Sequence, residues 1–494
     1  MATEEMNVAA LGRPFTLGML YDSRSDRLVP GPRLWNEETL KVKTTETSQP
    51  SSYLGMSASD SIESKSNMLD IDASLKASVM GGLIKVGGSA KYLNDQKQFK
   101  NQSRVTFQYK ATTKFKELSI DDMTLDTKQM EVIKEGLATH VVTGILYGAH
   151  AFFVFDSEKL EASQVKKIEG SMQAVIKKIP CLNIKGKVDI KLTAAEKALT
   201  DTFSCKFHGD FRLKSNPATF KDAVQTYVEL PQLLGTNGEN SVPVAVWLMP
   251  LKCFDPKAPE LMTGISIGLV IKVQEALEDL KETQRRCNDS LGDKVVESFP
   301  VLHKQLSTFL KLCGYYESRL QQTVAEKLPS IRAAKEDESS LEEVFKARHT
   351  SPFSHEKLTK WLDHKEREIN IIRSCVDIMK DVKIVQNRSE LDREVLGNDF
   401  VMCFVFTSME SADPCLEAMD QYANSLECAS TEEEPWYYSD KVLQIMQHNT
   451  TVFMANVKSG EAYCFLIAAI ENEKFEGSTL YFYERGVLKT ENRT

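Results

Sequence analysis

From Leu69 to Val79 the chain alternates with a period of two: Leu69, Ile71, Ala73, Leu75, Ala77 and Val79 are apolar, with Asp70, Asp72, Ser74, Lys76 and Ser78 between them. The pattern returns from Leu182 to Leu192, where Leu182, Ile184, Val188, Ile190 and Leu192 are set against Asn183, Lys185, Lys187, Asp189 and Lys191. Successive side chains of a strand point to opposite faces, so each stretch predicts a strand with one apolar and one charged face. Such a strand suits a half-buried place in an antiparallel sheet. It also suits a pore wall, because about 9–11 alternating residues cross a bilayer with the polar face on a lumen. Length alone leaves both open.

Between these stretches lies GLATHVVTGILYGAHAFFVF, Gly136 to Phe155. Val141, Val142, Ile145, Phe152, Phe153 and Val154 favour the pleated backbone, and Thr139, His140, Thr143 and His150 are too few polar residues for a solvated loop. The run predicts one strand about twice the ordinary length. Gly144 and Gly148 inside it predict a kink or the close approach of another backbone. The pairs Gly81-Gly82 and Gly87-Gly88 bracket a change of phase, from apolar odd positions to Ile84 and Val86, which predicts a bend or hinge. GGLIKVGG fits neither glycine-rich phosphate-loop pattern. Arg104–Lys114, Asp201–Leu213 and Pro243–Leu251 read as further strands, and Lys159–Lys178 as an amphipathic helix stopped by Pro180.

After the linker CFDPKAPE (Cys253 to Glu260) the period becomes helical. Val270, Val273, Leu277 and Leu280 form one stripe; Leu302, Leu306, Phe309, Cys313, Tyr316 and Leu320 a second; Leu358, Leu362, Ile369, Ile372, Val376 and Met379 a third. Punctuated by Pro300, Pro329 and Pro352, they predict a four-helix bundle. From about Ser389 strands and helices alternate: a buried strand at Val401–Phe406, helix starts at Asp413-Pro414 and Ser439, a strand at Tyr463–Ile470, and a hairpin turning at Arg485-Gly486. The expected fold class is multidomain α+β: a bent antiparallel sheet over 1–255, helices over 256–385, and an α/β domain over 386–494.

Composition adds exclusions. With 494 residues, 42% hydrophobic and 27% charged, the chain has the makeup of several globular domains, and its net charge of −9 is the wrong sign for a general nucleic-acid binder. MATEEMNVAA lacks the basic start and apolar core of a signal peptide, so synthesis in the cytosol is expected. Ten cysteines fall without a CxxC pair or metal-ligand spacing, and no catalytic set or nucleotide loop appears, so no enzyme, cofactor or metal is expected.

The stretches ALGRPFTLGMLYD, DSIESKS, GGSAKYLND, GLATHVVT, AFFVFDS, AVIKKIP, CKFHGDF, VWLMPL, AEKLP, SPFS, ELDREVL and CFVFTS occur in an order that resembles the stonustoxin and verrucotoxin family. That resemblance implies a perforin/cholesterol-dependent-cytolysin type domain, a focal-adhesion-targeting-like helical domain and a thioredoxin-like domain without CxxC. It implies that Leu69–Val79 and Leu182–Leu192 belong to the clusters that unfurl into transmembrane hairpins, with Gly81, Gly82, Gly87 and Gly88 as hinges. Of the superfamily signature, aromatic-Gly-Thr/Ser-His-aromatic, Thr139 and His140 are kept and Leu137, Ala138 and Val141 depart. His140 reads better as a hydrogen-bonded histidine inside a sheet than as a catalyst. The implied partners are a second copy or a homologous subunit, and a lipid membrane. A PRY/SPRY domain carried by the toxins is not expected before Thr494. The leading functional reading is a pore-forming protein that inserts two amphipathic hairpins; the alternative is a non-lytic interaction or immune-scaffold protein.

Overall fold

The computed structural model describes all of the chain except residues 1–4, 32, 121–122, 182–189, 411, 425–434, 461 and 493–494. It contains two compact units, one of residues 1–279 and 318–345, the other of 280–317 and 346–494.

The first unit is built on an eight-stranded sheet: β1 Met6–Ala9, β2 Leu20–Asp22, β3 Arg27–Leu28, β4 Thr44–Ser57, β5 Arg104–Leu118, β6 His140–Asp156, β7 Ser204–Gly209 and β8 Val242–Pro250. The expected long strand is β6, which is buried along its length except at Leu146 and Tyr147. On one side it pairs with β5, which pairs with β4; on the other its two halves pair with β7 and β8, all antiparallel. The bend is visible as register shifts, against β8 at Val142/Gly144 and Leu146/Tyr147 and in β5 at Thr112/Lys114. A Cβ on Gly148 would lie 2.1 Å from the Ala111 carbonyl oxygen, and one on Gly144 would lie 3.0 Å from the Phe115 ring. The glycines are therefore required by close approach.

The strand expected at Leu69–Val79 is not there. Ile62–Met68 and Ala73–Met80 are helices instead. Asp72 caps the second, its side chain accepting from the Leu75 amide at 2.7 Å. The alternation misled because its polar half is not solvated: Ser78 and Lys76 are buried alongside Leu75 and Ala77. Small residues and a good N-cap favour the helix once both sides are covered. Gly81 ends this helix, Gly82 adopts φ +74°, and the segment turns at Gly87 and Gly88 into a 3-10 helix, Gly88–Asn94. The expected helix at Lys159–Lys178 is shorter, Val165–Ile176, with Met172, Val175 and Ile176 buried.

In the second unit, β9 Lys383–Ile384, β10 Phe400–Phe406, β11 Cys464–Ala469, β12 Ser478–Glu484 and β13 Val487–Thr490 form a mixed sheet in the order β13-β12-β10-β11-β9. Local signals gave its outline. Asp413 caps the helix Pro414–Ala423, Ser439 caps Asp440–Lys458, and Arg485 and Gly486 take positive φ in the two-residue turn between β12 and β13. Trp361 stacks on Phe309 with centroids 4.0 Å apart. Pro300 begins a helix, as expected, but Pro329 lies within Pro300–Arg332 near its end, where the missing N–H interrupts only the last turn.

Candidate functional site

Both long excursions of the first unit leave the sheet at the same end. The chain departs β4 at Ser57 and returns into β5 at Arg104, and it departs β6 at Asp156 and returns into β7 at Ser204. Arg104 and Asp156 face each other in register, as do Asp156 and Ser204, and Ser57 lies opposite Thr106. Each excursion is long enough for two strands of about 10 residues.

The excursions cover opposite faces of the sheet by different chemistry. On β5 the odd positions Val105, Phe107, Tyr109 and Ala111 share a core with Phe153 and Phe155 of β6 and with Met172, Val175 and Ile176 of the second excursion. Ile190 and Leu192 pack half-buried against this core, whereas Leu182, Ile184 and Val188 fall at or within 182–189, outside the described residues. The even positions of β5 hold the first excursion through polar groups. The Gln108 side chain donates to the Met68 carbonyl at 2.6 Å, the Tyr92 hydroxyl donates to Thr106 at 3.0 Å, and Lys110 pairs with Asp70. Leu69, Ile71 and Leu75 are buried in one core with Val141, Val142 and Ile145 of β6, and Val79 packs partly buried against it. Tyr92 stacks on Phe152 at 4.4 Å. A groove of about 660 Å³ lies between β4 and the helix Ile62–Met68, lined by Ser51, Tyr53, Glu63, Asn67 and Lys110 among others.

At the shared root of the excursions sits an ionic cluster with no local signature in the sequence. Arg104, 1% exposed, donates from Nε and Nη2 to Asp156 at 2.7 and 2.8 Å, from Nη1 to Asp60 at 3.1 Å, and from Nη2 to Asp95 at 2.9 Å. Lys65 reaches Asp60 at 2.8 Å, and His208 Nε2 lies 2.6 Å from Asp95. Burial pushes the Asp60 and Asp95 carboxyls up, but the surrounding cations outweigh it and hold both below the usual carboxylate range. Asp60, Lys65 and Asp95 belong to the first excursion and the rest to the sheet, so the cluster fastens one to the other.

At the opposite end of β6, Thr139 and His140 are both buried. Thr139 Oγ1 accepts from the Ser23 amide at 2.9 Å and lies 2.8 Å from His140 Nδ1. His140 is thus a hydrogen-bonded sheet residue. Burial pushes its pKa down from 6.5 to about 4, against the opposing pull of Asp22 and Asp26. The folded state keeps the imidazole neutral while the unfolded chain protonates near pH 6.5. His140 therefore contributes stability that is complete above about pH 6.5 and is lost as the pH falls toward 4. The melting temperature should drop across that window, and His140→Asn should flatten the slope; an equally steep slope in the variant would refute the assignment.

Among the described residues no group of His, Cys, Asp and Glu side chains could hold a metal ion, and no helix is long and apolar enough to cross a membrane.

Three family models match in succession: the SNTX MACPF/CDC-like domain over residues 5–233, the stonustoxin helical domain over 275–370, and the thioredoxin-like SNTX domain over 381–493. Stonustoxin subunit alpha of Synanceia horrida is 45% identical over 505 residues, covering 100% of this chain and 72% of its own. Neoverrucotoxin subunit beta of Synanceia verrucosa is 46% identical over 498 residues, covering 99% and 71%. The solved stonustoxin structure superposes with a TM-score of 0.81 at 40% identity, over 99% of this chain and 70% of that one. The chain belongs to the stonustoxin family, with MACPF/CDC-like, helical and thioredoxin-like domains in that order.

Proposed function

We propose that this protein is pore-forming: it assembles with itself or a homologous subunit and converts residues 58–103 and 157–203 into two amphipathic β-hairpins that enter a membrane. The observation that carries this reading is the common exit of both excursions from one end of antiparallel strand pairs, so that continued pairing would lengthen β4–β5 and β6–β7 in the same direction. The alternation of Leu69–Val79 and Leu182–Leu192, unused by the helical form of the first, fits the inserted form. Relatives named as alpha and beta subunits support a homologous partner. Among the described residues β4 pairs only with β5 and is exposed from Thr45 to Leu54, which leaves a backbone edge for a second copy's strand. We take the three domains as 1–255, 256–385 and 386–494. Dye release from liposomes of varied lipid content, with and without a co-expressed homologous subunit, tests the proposal. Release is expected; its absence with every lipid and partner would turn the assignment to the non-lytic scaffold.

We assign the thioredoxin-like domain a structural role. Two of its thiols are poorly placed for exchange: Cys403 is fully buried, and burial pushes the Cys403 and Cys464 thiols up, away from the reactive thiolate. Insulin reduction by the full chain should stay at background; turnover that is lost on replacing Cys403 or Cys415 would overturn the assignment.

A further inference from the structure

Within the first unit, the segment 318–345 contributes a side chain that grips the first excursion. Arg332, the last residue of the helix Pro300–Arg332, is fully buried. Its Nη1 donates to Ser78 Oγ at 2.8 Å, Asp26 Oδ2 at 3.0 Å and the Arg24 carbonyl at 3.2 Å; its Nη2 donates to the Ser74 carbonyl at 2.8 Å and Ser74 Oγ at 3.0 Å. Ser74 and Ser78 are one turn apart on the helix Ala73–Met80, and Ser78 also donates to Asp26. The guanidinium therefore ties that helix to the loop after β2. Its backbone is fixed too, since the Arg332 carbonyl accepts from the Met262 and Thr263 amides.

Two further contacts make the grip specific to the first excursion. A Cβ on Gly81, the residue that ends Ala73–Met80, would lie 2.9 Å from Val324 Cγ1 and 3.3 Å from the Ala325 amide nitrogen. With Val324 in place a side chain at position 81 would have to displace it, so glycine here lets the helix carrying Arg332 pass this close. The neighbouring helix Ile62–Met68 is held at its start by Glu278, whose carboxylate accepts from the Ile62 amide at 2.8 Å. A helix gripped at Ser74, Ser78 and Gly81 cannot become an extended strand while these contacts persist, because extension more than doubles the rise per residue from about 1.5 to 3.3 Å.

We propose that Arg332 is a latch: its hydrogen bonds to Ser74, Ser78 and Asp26 keep the first excursion helical, and their release is a required step before it can extend. The inference rests on the pore-forming reading for its purpose, but the latch itself can be tested without leakage.

The first measurement is hydrogen exchange on the full chain with Arg332→Gln. Amides of residues 75–80 should exchange at least about tenfold faster while those of β6 change by less than about twofold, as local opening rather than global unfolding demands. Unchanged exchange at 75–80, or equal acceleration in β6, would overturn the latch. If Arg332→Gln does not fold, Ser74→Ala with Ser78→Ala removes two hydroxyl partners and should give the same local pattern to a smaller degree. The second measurement is a disulfide between Gly81→Cys and Val324→Cys. Oxidised protein should release no dye and reduced protein should release it; leakage from the fully oxidised form would overturn the latch as a gate. Wild-type protein that never leaks would remove the pore reading and leave the exchange experiment to decide the latch alone.

Discussion

Arg104→Met should cost the first unit about 3–5 kcal/mol, the range for removing one partner from a buried ion pair and leaving the other charge behind. Here it would leave three carboxylates. Asp60, Asp95 and Asp156 are each less than a tenth exposed, and Arg104 touches all three. Lys65 remains on Asp60 and His208 on Asp95, while Lys206 is half-exposed and stands 3.9 Å from Asp156, so Asp156 loses most. Asp156→Asn added to Arg104→Met should accordingly recover part of the loss, because it removes the charge that was stranded. Urea-dependent hydrogen exchange of β5 and β6 amides measures both. A loss under about 1 kcal/mol, the size of a solvent-screened surface pair, would mean that water reaches the cluster.

That cluster also shows what the sequence conceals. Its members stand at 60, 65, 95, 104, 156, 206 and 208, and each reads in its own neighbourhood as an ordinary solvated charge or a strand end. The pairing of β6 with β5 and β7 brings the strand members together, and register between distant strands leaves no local trace. Signals that act over a few residues were legible: the caps Asp413 and Ser439, the Arg485-Gly486 turn, and the apolar run of β6 with its glycines. Leu69–Val79 falls between these cases. Its alternation is real, but Asp72 is a capping residue and Ser74, Lys76 and Ser78 find partners outside the stretch: Arg332, Glu63 and Asp26. Periodicity supplied the order of sheet, helical and α/β domains, and the resemblance supplied the family of each.

The same enclosure decides where hairpin insertion should be probed. Leu75 is 2% exposed and Lys76 is buried in an ion pair with Glu63, so replacing either disturbs the folded protein before any membrane is met. The second excursion is the better reporter, because Ile190 and Leu192 are half-buried and Lys191 is exposed. If this stretch crosses the bilayer as a strand, Ile190 and Leu192 meet lipid and Lys191 faces the lumen. A lysine facing lipid at the midplane costs about 2–4 kcal/mol, whereas a lumen substitution costs little. Ile190→Lys should therefore abolish dye release, and Leu192→Lys should reduce it, by less if it lies nearer an interface. Lys191→Gln should leak like the parent. Melting temperature and exchange in β6 must stay near wild type in all three, so that a lost activity reports on insertion and not on folding. Leakage by Ile190→Lys at the parental rate would place this face away from lipid, and an equal loss from Lys191→Gln would show that the stretch does not enter as an alternating strand.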